Sequence, residues 1–216
     1  MRILNLHGFM GKADNRAYSA LCELMPKEDI VSPKLEYMNA HPDELFTKLT
    51  EIIKNEDIDI IIGQSLGGFF ALPLAFNCGL PCILTNPCFF PAETKVIVNS
   101  EISKDILDEY KEKSRIRFFR KAYILISDND TIIPGNYEKC KVITPHIKQV
   151  EGTHSNIKNL KEELTEILGI LKDPDERAIH LTDLFDKIDK IVIVDDARTF
   201  DVSQLKDIDF EEDEDE

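Results

Sequence analysis

The chain has 216 residues, 43% of them hydrophobic, which suits one α/β domain with a full apolar core. Its 41 acidic residues against 26 Lys and Arg give a formal net charge of −15, which opposes binding to nucleic acid and to anionic membrane surfaces. The five cysteines are scattered and lack metal-ligand spacing, so we expect reduced thiols in or near the core. With no basic leader and no apolar run of membrane-spanning length, we expect a cytoplasmic protein without membrane insertion.

Short apolar runs alternate along the chain with stretches of helical spacing. We expect strands at 1–6, 30–37, 58–62, 82–85, 122–126 and 147–150, and helices at 17–24, 42–53, 69–76, 102–113 and 160–171. Pro33 interrupts the second strand and favours a place near an edge. Asp14 or Asn15 is expected to cap the first helix, and Ser155 or Asn156 the last. This alternation predicts an α/β fold, a three-layer α/β/α sandwich with a mostly parallel sheet.

The composition changes after residue 172, so we expect a main domain over 1–172 and a C-terminal extension over 173–206. Apolar residues in the extension recur at helical spacing from Leu181 to Ile188, and a strand-like run follows at 191–194. That run is expected either to add a strand to an open sheet edge or to form an interface. The segment 207–216 is almost entirely acidic, which predicts a disordered tail.

The third strand ends in the sequence Gly63-Gln64-Ser65-Leu66-Gly67, and an apolar helix follows it. A strand, a G-x-S-x-G turn and a helix in this order are typical of a nucleophile elbow. The sharp turn holds the serine at strained backbone angles and leaves no room for side chains two residues away on either side. The pattern predicts that Ser65 is a catalytic nucleophile.

A serine nucleophile needs a base, and the base needs a carboxylate to orient it. His154 follows the last strand of the main domain in a glycine-containing loop, and it is the histidine best placed to act as the base. The acid is expected in the loop after the preceding strand, where the spacing favours Asp130 and leaves Asp128 as the alternative. The resulting chain order of serine, aspartate and histidine is the one found in this type of sheet.

An oxyanion hole requires two N–H groups directed at the same oxygen. We expect one from the backbone of Leu66, directly after the serine, and the other from the loop after the first strand, where Phe9 is favoured over Met10. His7 in that loop is expected to be structural. No G-x-G-x-x-G fingerprint or metal-ligand pattern is present, so neither a cofactor nor a metal is expected.

Taken together, these residues resemble the α/β-hydrolase superfamily, and more narrowly its small lidless bacterial esterases of the YqiA type. The resemblance covers roughly residues 1 to 171 and rests on five motifs: His7-Gly8-Phe9, the elbow with Gly68, Asn86-Pro87, Asp130, and Gly152-x-His154. It implies a minimal α/β-hydrolase fold and cleavage of acyl esters or thioesters through an acyl-serine intermediate. The sequence departs from the family in the extension from Pro174 and in having Ser127 where a glycine is frequent.

The segment between the fourth and fifth strands is too short for a large lid, so water should reach the site. Apolar side chains near the expected carboxyl edge of the sheet are candidates for substrate binding: Phe9, Met10, Phe69, Phe89 and Phe90.

The main hypothesis is therefore a serine esterase or thioesterase acting on a small-molecule substrate. One alternative is a non-catalytic protein of the same fold that binds a partner through its acidic extension. Another keeps the triad for acyl transfer or peptide cleavage. The sequence leaves the oligomeric state open.

Overall fold

The computed structural model describes residues 1–172, in which a seven-stranded sheet has the order β2-β1-β3-β4-β5-β6-β7. Neighbouring strands are parallel except for the last pair, β6 and β7, which are antiparallel. The strands are β1 Ile3–Leu6, β2 Ile30–Val31, β3 Ile60–Gln64, β4 Cys82–Thr85, β5 Ala122–Asn129, β6 Ile147–Thr153 and β7 Asn156–Ile157.

Helices cover both faces of the sheet, as expected for a strand pattern that alternates with helices. They are α1 Arg16–Cys22, α2 Pro42–Asn55, α3 Leu66–Cys78, α4 Lys95–Val98, α5 Lys104–Lys113, α6 Asn136–Cys140 and α7 Leu160–Lys172. One apolar cluster joins the sheet to α2, α3 and α5, and a second joins the opposite face to α1 and α7. The predicted three-layer α/β/α sandwich is confirmed.

The strand register brings the residues that follow the strands to one edge of the sheet. Leu6 pairs with Gly63, and Gln64 pairs with Thr85, so β1, β3 and β4 end side by side. The carboxyl ends of β5 and β6 continue the same edge because all of these pairs are parallel. Loops at the carboxyl edge of an open parallel sheet are the usual place for a ligand or active site.

Two local expectations are corrected. The second strand ends at Val31, well before Tyr37, although it does lie at the sheet edge. Neither Ser155 nor Asn156 caps the last helix, because both belong to the tight hairpin that joins β6 to β7, and α7 begins only at Leu160. The cap of α1 is Asn15, whose side chain accepts the N–H of Tyr18.

The cysteines are free thiols, as expected, and three of them are buried, but Cys78 at the end of α3 is exposed rather than near the core. None of the helices within residues 1–172 has the length and hydrophobicity that a membrane-spanning segment requires. The predicted extension over 173–206, with its run at 191–194, and the acidic segment 207–216 lie outside the described residues.

Candidate active site

Ser65 lies at the junction of β3 and α3 with φ of 50° and ψ of −117°, a conformation that L-residues rarely adopt. Its backbone is fixed on both sides. The N–H donates to the Thr85 carbonyl at 3.0 Å, and the carbonyl accepts N–H groups from Gly68 at 2.8 Å and Cys88 at 2.9 Å. Strain of this kind costs about 1–3 kcal/mol and persists only where the surroundings impose it.

The glycines of the turn are required by close packing. A Cβ atom at Gly63 would lie 2.7 Å from the Cβ of Ala71, and one at Gly67 would lie 2.3 Å from the carbonyl oxygen of Leu6. Both distances are shorter than van der Waals contact allows. The first turn of α3 therefore rests directly on the ends of β1 and β3, which directs Ser65 out of the sheet.

The side chains of Ser65, His154 and Asp130 form one hydrogen-bonded chain. The Nε2 of His154 lies 2.8 Å from the Oγ of Ser65, and its Nδ1 lies 2.8 Å from the Oδ2 of Asp130. An ionised Asp130 can only accept, so Nδ1 carries the proton and Nε2 accepts from the serine hydroxyl. The Asp130 carboxylate is 4% exposed and the imidazole 10% exposed, so both are largely shielded from water.

Asp130 is further held by the loop that follows it. Its Oδ1 accepts the backbone N–H groups of Ile132 at 2.9 Å and Ile133 at 3.0 Å. Burial raises the pKa of the Asp130 carboxyl, but the hydrogen bonds from His154 and from these N–H groups outweigh burial, and the net pKa is lowered. The group is therefore a carboxylate at neutral pH.

Asp128, the alternative acid, is exposed and directed elsewhere. Its Oδ1 accepts the backbone N–H of Gly152 at 3.0 Å, which ties the end of β5 to the loop before His154. Of the two aspartates, Asp130 is the one beside the imidazole.

The loop after β1 lies directly against the serine. An ideal Cβ atom on Gly8 would be 3.0 Å from the Cβ of Ser65. The N–H of Gly11 donates to the Gly8 carbonyl at 2.9 Å, closing a turn in which Met10 has φ of 56°. Phe9 within this turn is half-buried, and Met10 is largely exposed.

Hydrogen bonds of His7 hold this loop in place. Its Nδ1 lies 2.8 Å from the Gly8 carbonyl oxygen, and its Nε2 accepts the N–H of Leu35 at 3.0 Å, which assigns the proton to Nδ1. The hydroxyl of Tyr37 donates to the His7 carbonyl at 2.6 Å. Burial lowers the pKa of His7, so the imidazole is neutral at neutral pH.

Of the remaining candidates for substrate binding, one packs in the core and two line a pocket. Phe69 is buried, with its ring 5.1 Å from that of Phe70 and 5.2 Å from that of Tyr110, so we assign it to core packing. Phe89 and Phe90 line a pocket of about 420 Å³ whose wall also includes Thr131, the residue after Asp130.

This pocket lies between the segment after β4 and the loop after Asp130. Its Cys88 end contacts the serine turn through the hydrogen bond to the Ser65 carbonyl. The sequence did not indicate its other apolar walls, Val96, Ile132 and Ile133, because their spacing carries no period that distinguishes a pocket from a loop. The charged residues of the lining are two lysines, Lys95 and Lys139, and one acid, Glu93.

Asn86 is a further buried residue at this edge, 0% exposed, whose side chain contacts the loop of His154. In the sequence, Asn86 stands out only as the first residue of the Asn86-Pro87 pair. Within 1–172 no group of three or more His, Cys, Asp or Glu side chains is arranged to hold a metal ion.

The sheet order and the strand–turn–helix arrangement around Ser65 are those of an α/β-hydrolase fold. Residues 2–172 match the model of UPF0227, described as an uncharacterised protein family, and the chain belongs to that family. A UPF0227 protein of Pectobacterium atrosepticum is 26% identical over 176 residues, covering 69% of this chain and 97% of the relative. One of Pasteurella multocida is 27% identical over 139 residues, covering 61% and 76%.

Solved structures with the same fold include hydrolases of several kinds. An esterase domain from a Rhodothermus marinus protein aligns with a TM-score of 0.57 at 16% identity, over 79% of this chain and 85% of the other. An α/β-hydrolase enzyme from the metagenome of Mar Chica lagoon sediments gives 0.54 at 19%, over 78% and 89%. The type II thioesterase BorB of the borrelidin cluster gives 0.52 at 17%, over 79% and 88%. The predicted resemblance to α/β hydrolases is confirmed.

Proposed function

We propose that this protein is a serine hydrolase that cleaves carboxylic esters or thioesters through an acyl-enzyme on Ser65. The observation that carries the proposal is the continuous hydrogen-bonded chain from Ser65 through His154 to Asp130, with 2.8 Å at each step. A binding protein has no use for a strained serine that is hydrogen-bonded to a shielded imidazole and carboxylate. Acyl transfer to water uses all three groups.

In the proposed reaction, His154 Nε2 takes the hydroxyl proton as Ser65 Oγ attacks the substrate carbonyl carbon. The same nitrogen then gives this proton to the departing alcohol or thiol, leaving an acyl-serine. Water, deprotonated by His154, attacks the acyl-serine, and the proton returns to Oγ as the acid is released. Asp130 remains ionised throughout and stabilises the imidazolium, in keeping with its lowered pKa.

The negative charge on the tetrahedral oxygen requires donors, for which we propose the backbone N–H groups of Leu66 and Phe9. Leu66 begins α3, so its N–H has no acceptor within the helix. Phe9 follows Gly8, which lies against Ser65. Met10 is the alternative to Phe9. A formed donor contributes about 3 kcal/mol of transition-state stabilisation.

We propose that the pocket beside Phe89 and Phe90 accepts the apolar part of the substrate. Its volume of about 420 Å³ suits a small or medium acyl chain. Esters and thioesters are both considered because an esterase domain and a thioesterase share the fold.

The proposal is tested by hydrolysis of p-nitrophenyl esters of increasing acyl length and of matched acyl thioesters. We expect activity in the wild-type protein, a peak at one range of chain lengths, and loss of activity in Ser65→Ala. Ser19→Ala, an exposed serine on α1, is the matched control and should retain activity. A folded wild-type protein inert towards the whole series, or a fully active Ser65→Ala variant, would reject the proposal and favour a non-catalytic role.

A further inference from the structure

The parallel ladder between β5 and β6 is broken next to the proposed triad. Ser127 pairs with Val150, but Asn129 pairs with Thr153, so the register shifts within three residues. Where a ladder is broken in this way, backbone N–H and C=O groups lose their strand partners, and buried groups need other ones. The break lies just before Asp130 on one strand and just before His154 on the other.

Two side chains of β5 supply partners at this break: Asp128 accepts the N–H of Gly152 at 3.0 Å, and the Oγ of Ser127 donates to the Thr153 carbonyl at 2.9 Å. The side chain of Asn86, which follows β4, makes three further hydrogen bonds to the same region. Its Oδ1 accepts the backbone N–H of Ser127 at 2.7 Å, and its Nδ2 donates to the carbonyls of His154 at 2.9 Å and Thr153 at 3.3 Å. The partners fix the orientation of the amide, because an N–H only donates and carbonyls only accept. Asn86 is 0% exposed, so water does not compete for these bonds.

The backbone around Asn86 is fixed relative to the serine. Asn86 follows β4 with φ of 44°, a conformation that asparagine tolerates better than most residues. Its own N–H donates to the Leu125 carbonyl at 2.9 Å, and two residues later the N–H of Cys88 donates to the Ser65 carbonyl at 2.9 Å. One short segment thus contacts both the serine turn and the histidine loop.

We infer that Asn86 is a positioning residue that holds His154 in register with Ser65, an inference that rests on the proposed function. The amide anchors the backbone of His154, while Asp130 and Ser65 orient its ring. Aspartate has the same shape as asparagine and would still accept the N–H of Ser127. It would lose the hydrogen bonds that Asn86 donates and would place a carboxylate against two carbonyl oxygens. Alanine would lose all three bonds.

Asn86→Asp and Asn86→Ala test the inference, with Thr144→Val as the matched control. Thr144 is buried, and its hydroxyl donates to the Ala122 carbonyl at 2.7 Å, at the opposite end of β5 from the triad. We expect kcat to fall about 100-fold in both Asn86 variants, with KM nearly unchanged, because small misplacements of a catalytic group cost this much. Thr144→Val should lower the melting temperature and leave kcat unchanged.

A spectroscopic readout separates failure of this inference from failure of the proposed function. The NMR signal of the His154 Nδ1–H, assigned by its absence in His154→Gln, reports the hydrogen bond to Asp130 whether or not the protein has activity. We expect the signal in wild type and Thr144→Val, and its loss through exchange in the Asn86 variants.

Wild type inert towards the ester series would reject the proposed function, and the His154 signal would still decide whether Asn86 holds the ring. Three results would overturn the inference: a signal and a kcat kept in a folded Asn86 variant, an equal loss of kcat in Thr144→Val, or failure of both Asn86 variants to fold. The last would make Asn86 a determinant of folding instead.

Discussion

Gly8 and Ser65 follow different strands, β1 and β3, yet a Cβ atom on Gly8 would lie only 3.0 Å from the Cβ of Ser65. This contact sets the distance between the proposed nucleophile and the loop that carries Phe9. In Gly8→Ala the loop must retreat by a few tenths of an ångström. We expect kcat/KM for ester hydrolysis to fall about tenfold, because the proposed oxyanion donor, the N–H of Phe9, moves with the loop.

The matched control for Gly8→Ala is Gly169→Ala. Gly169 lies on the exposed side of α7, and an added Cβ would meet no atom within 4 Å. This change should raise the free energy of unfolding by about 0.5–1 kcal/mol, through helix propensity, and leave kcat/KM unchanged. Equal activity in Gly8→Ala and wild type would show that the Phe9 loop does not provide an oxyanion donor.

The two aspartates after β5 should differ sharply in their effect on activity. Asp130 contacts the imidazole, whereas Asp128 accepts an N–H from Gly152. In Asp130→Asn the amide favours the wrong tautomer of His154, and kcat should fall about 10⁴-fold. Asp128→Asn should have little effect on kcat for the same ester. A larger loss in Asp128→Asn would contradict the assignment of the acid.

Asn86 shows why some of the site could be predicted from the sequence and some could not. The elbow and the order of Ser65, Asp130 and His154 follow from local motifs and from the rule that parallel strands end at one edge. The inferred role of Asn86 depends on hydrogen bonds from the end of β4 to β5 and to the His154 loop, which no local pattern records.

The same reasoning explains two outcomes elsewhere in the chain. Serine is a residue type that often caps helices, but Ser155 lies in the hairpin between β6 and β7 and therefore does not cap α7. Phe69 lies one turn after the serine on a helix that is apolar on all sides, so its spacing could not indicate whether it faces the core or a pocket.

Phe69 and Phe90 should therefore respond differently to truncation. Phe69→Ala removes a buried ring between Phe70 and Tyr110 and should lower the free energy of unfolding by about 3–5 kcal/mol. Phe90→Ala opens the pocket wall and should raise KM for the preferred acyl length about tenfold, with a small effect on stability. Urea unfolding and the ester series measure the two effects. A Phe90→Ala variant with an unchanged chain-length profile would place the acyl group elsewhere.

His7 should make the folded state less stable in mild acid. Burial lowers its pKa below the 6.5 of the unfolded chain, so as the pH falls through this range the unfolded chain takes up a proton that the folded protein does not. The contribution to stability is complete above pH 6.5 and is lost as the pH falls towards the lowered pKa of the folded state. Urea unfolding of wild type and His7→Gln across this range measures it, and the variant should lose that part of the pH dependence.

His41 provides a contrast of opposite sign. The hydrogen bond from its Nδ1 to Glu109, 2.7 Å long, raises its pKa. The contribution of His41 to the stability of the folded state is therefore complete below pH 6.5 and is lost as the pH rises through the raised pKa.

If His7→Gln retains the full acid sensitivity of the wild type, protonation of His7 is not the source of that acid sensitivity.

The most direct test of the central claim is labelling with a fluorophosphonate, followed by mass analysis of the peptide that contains Ser65. The reagent reacts with a serine whose hydroxyl is activated by a neighbouring base. We expect stoichiometric modification of Ser65 in the wild-type protein, slow modification in His154→Gln and none at this position in Ser65→Ala. A folded wild-type protein that stays unmodified at Ser65 would contradict the assignment of this chain as a serine hydrolase.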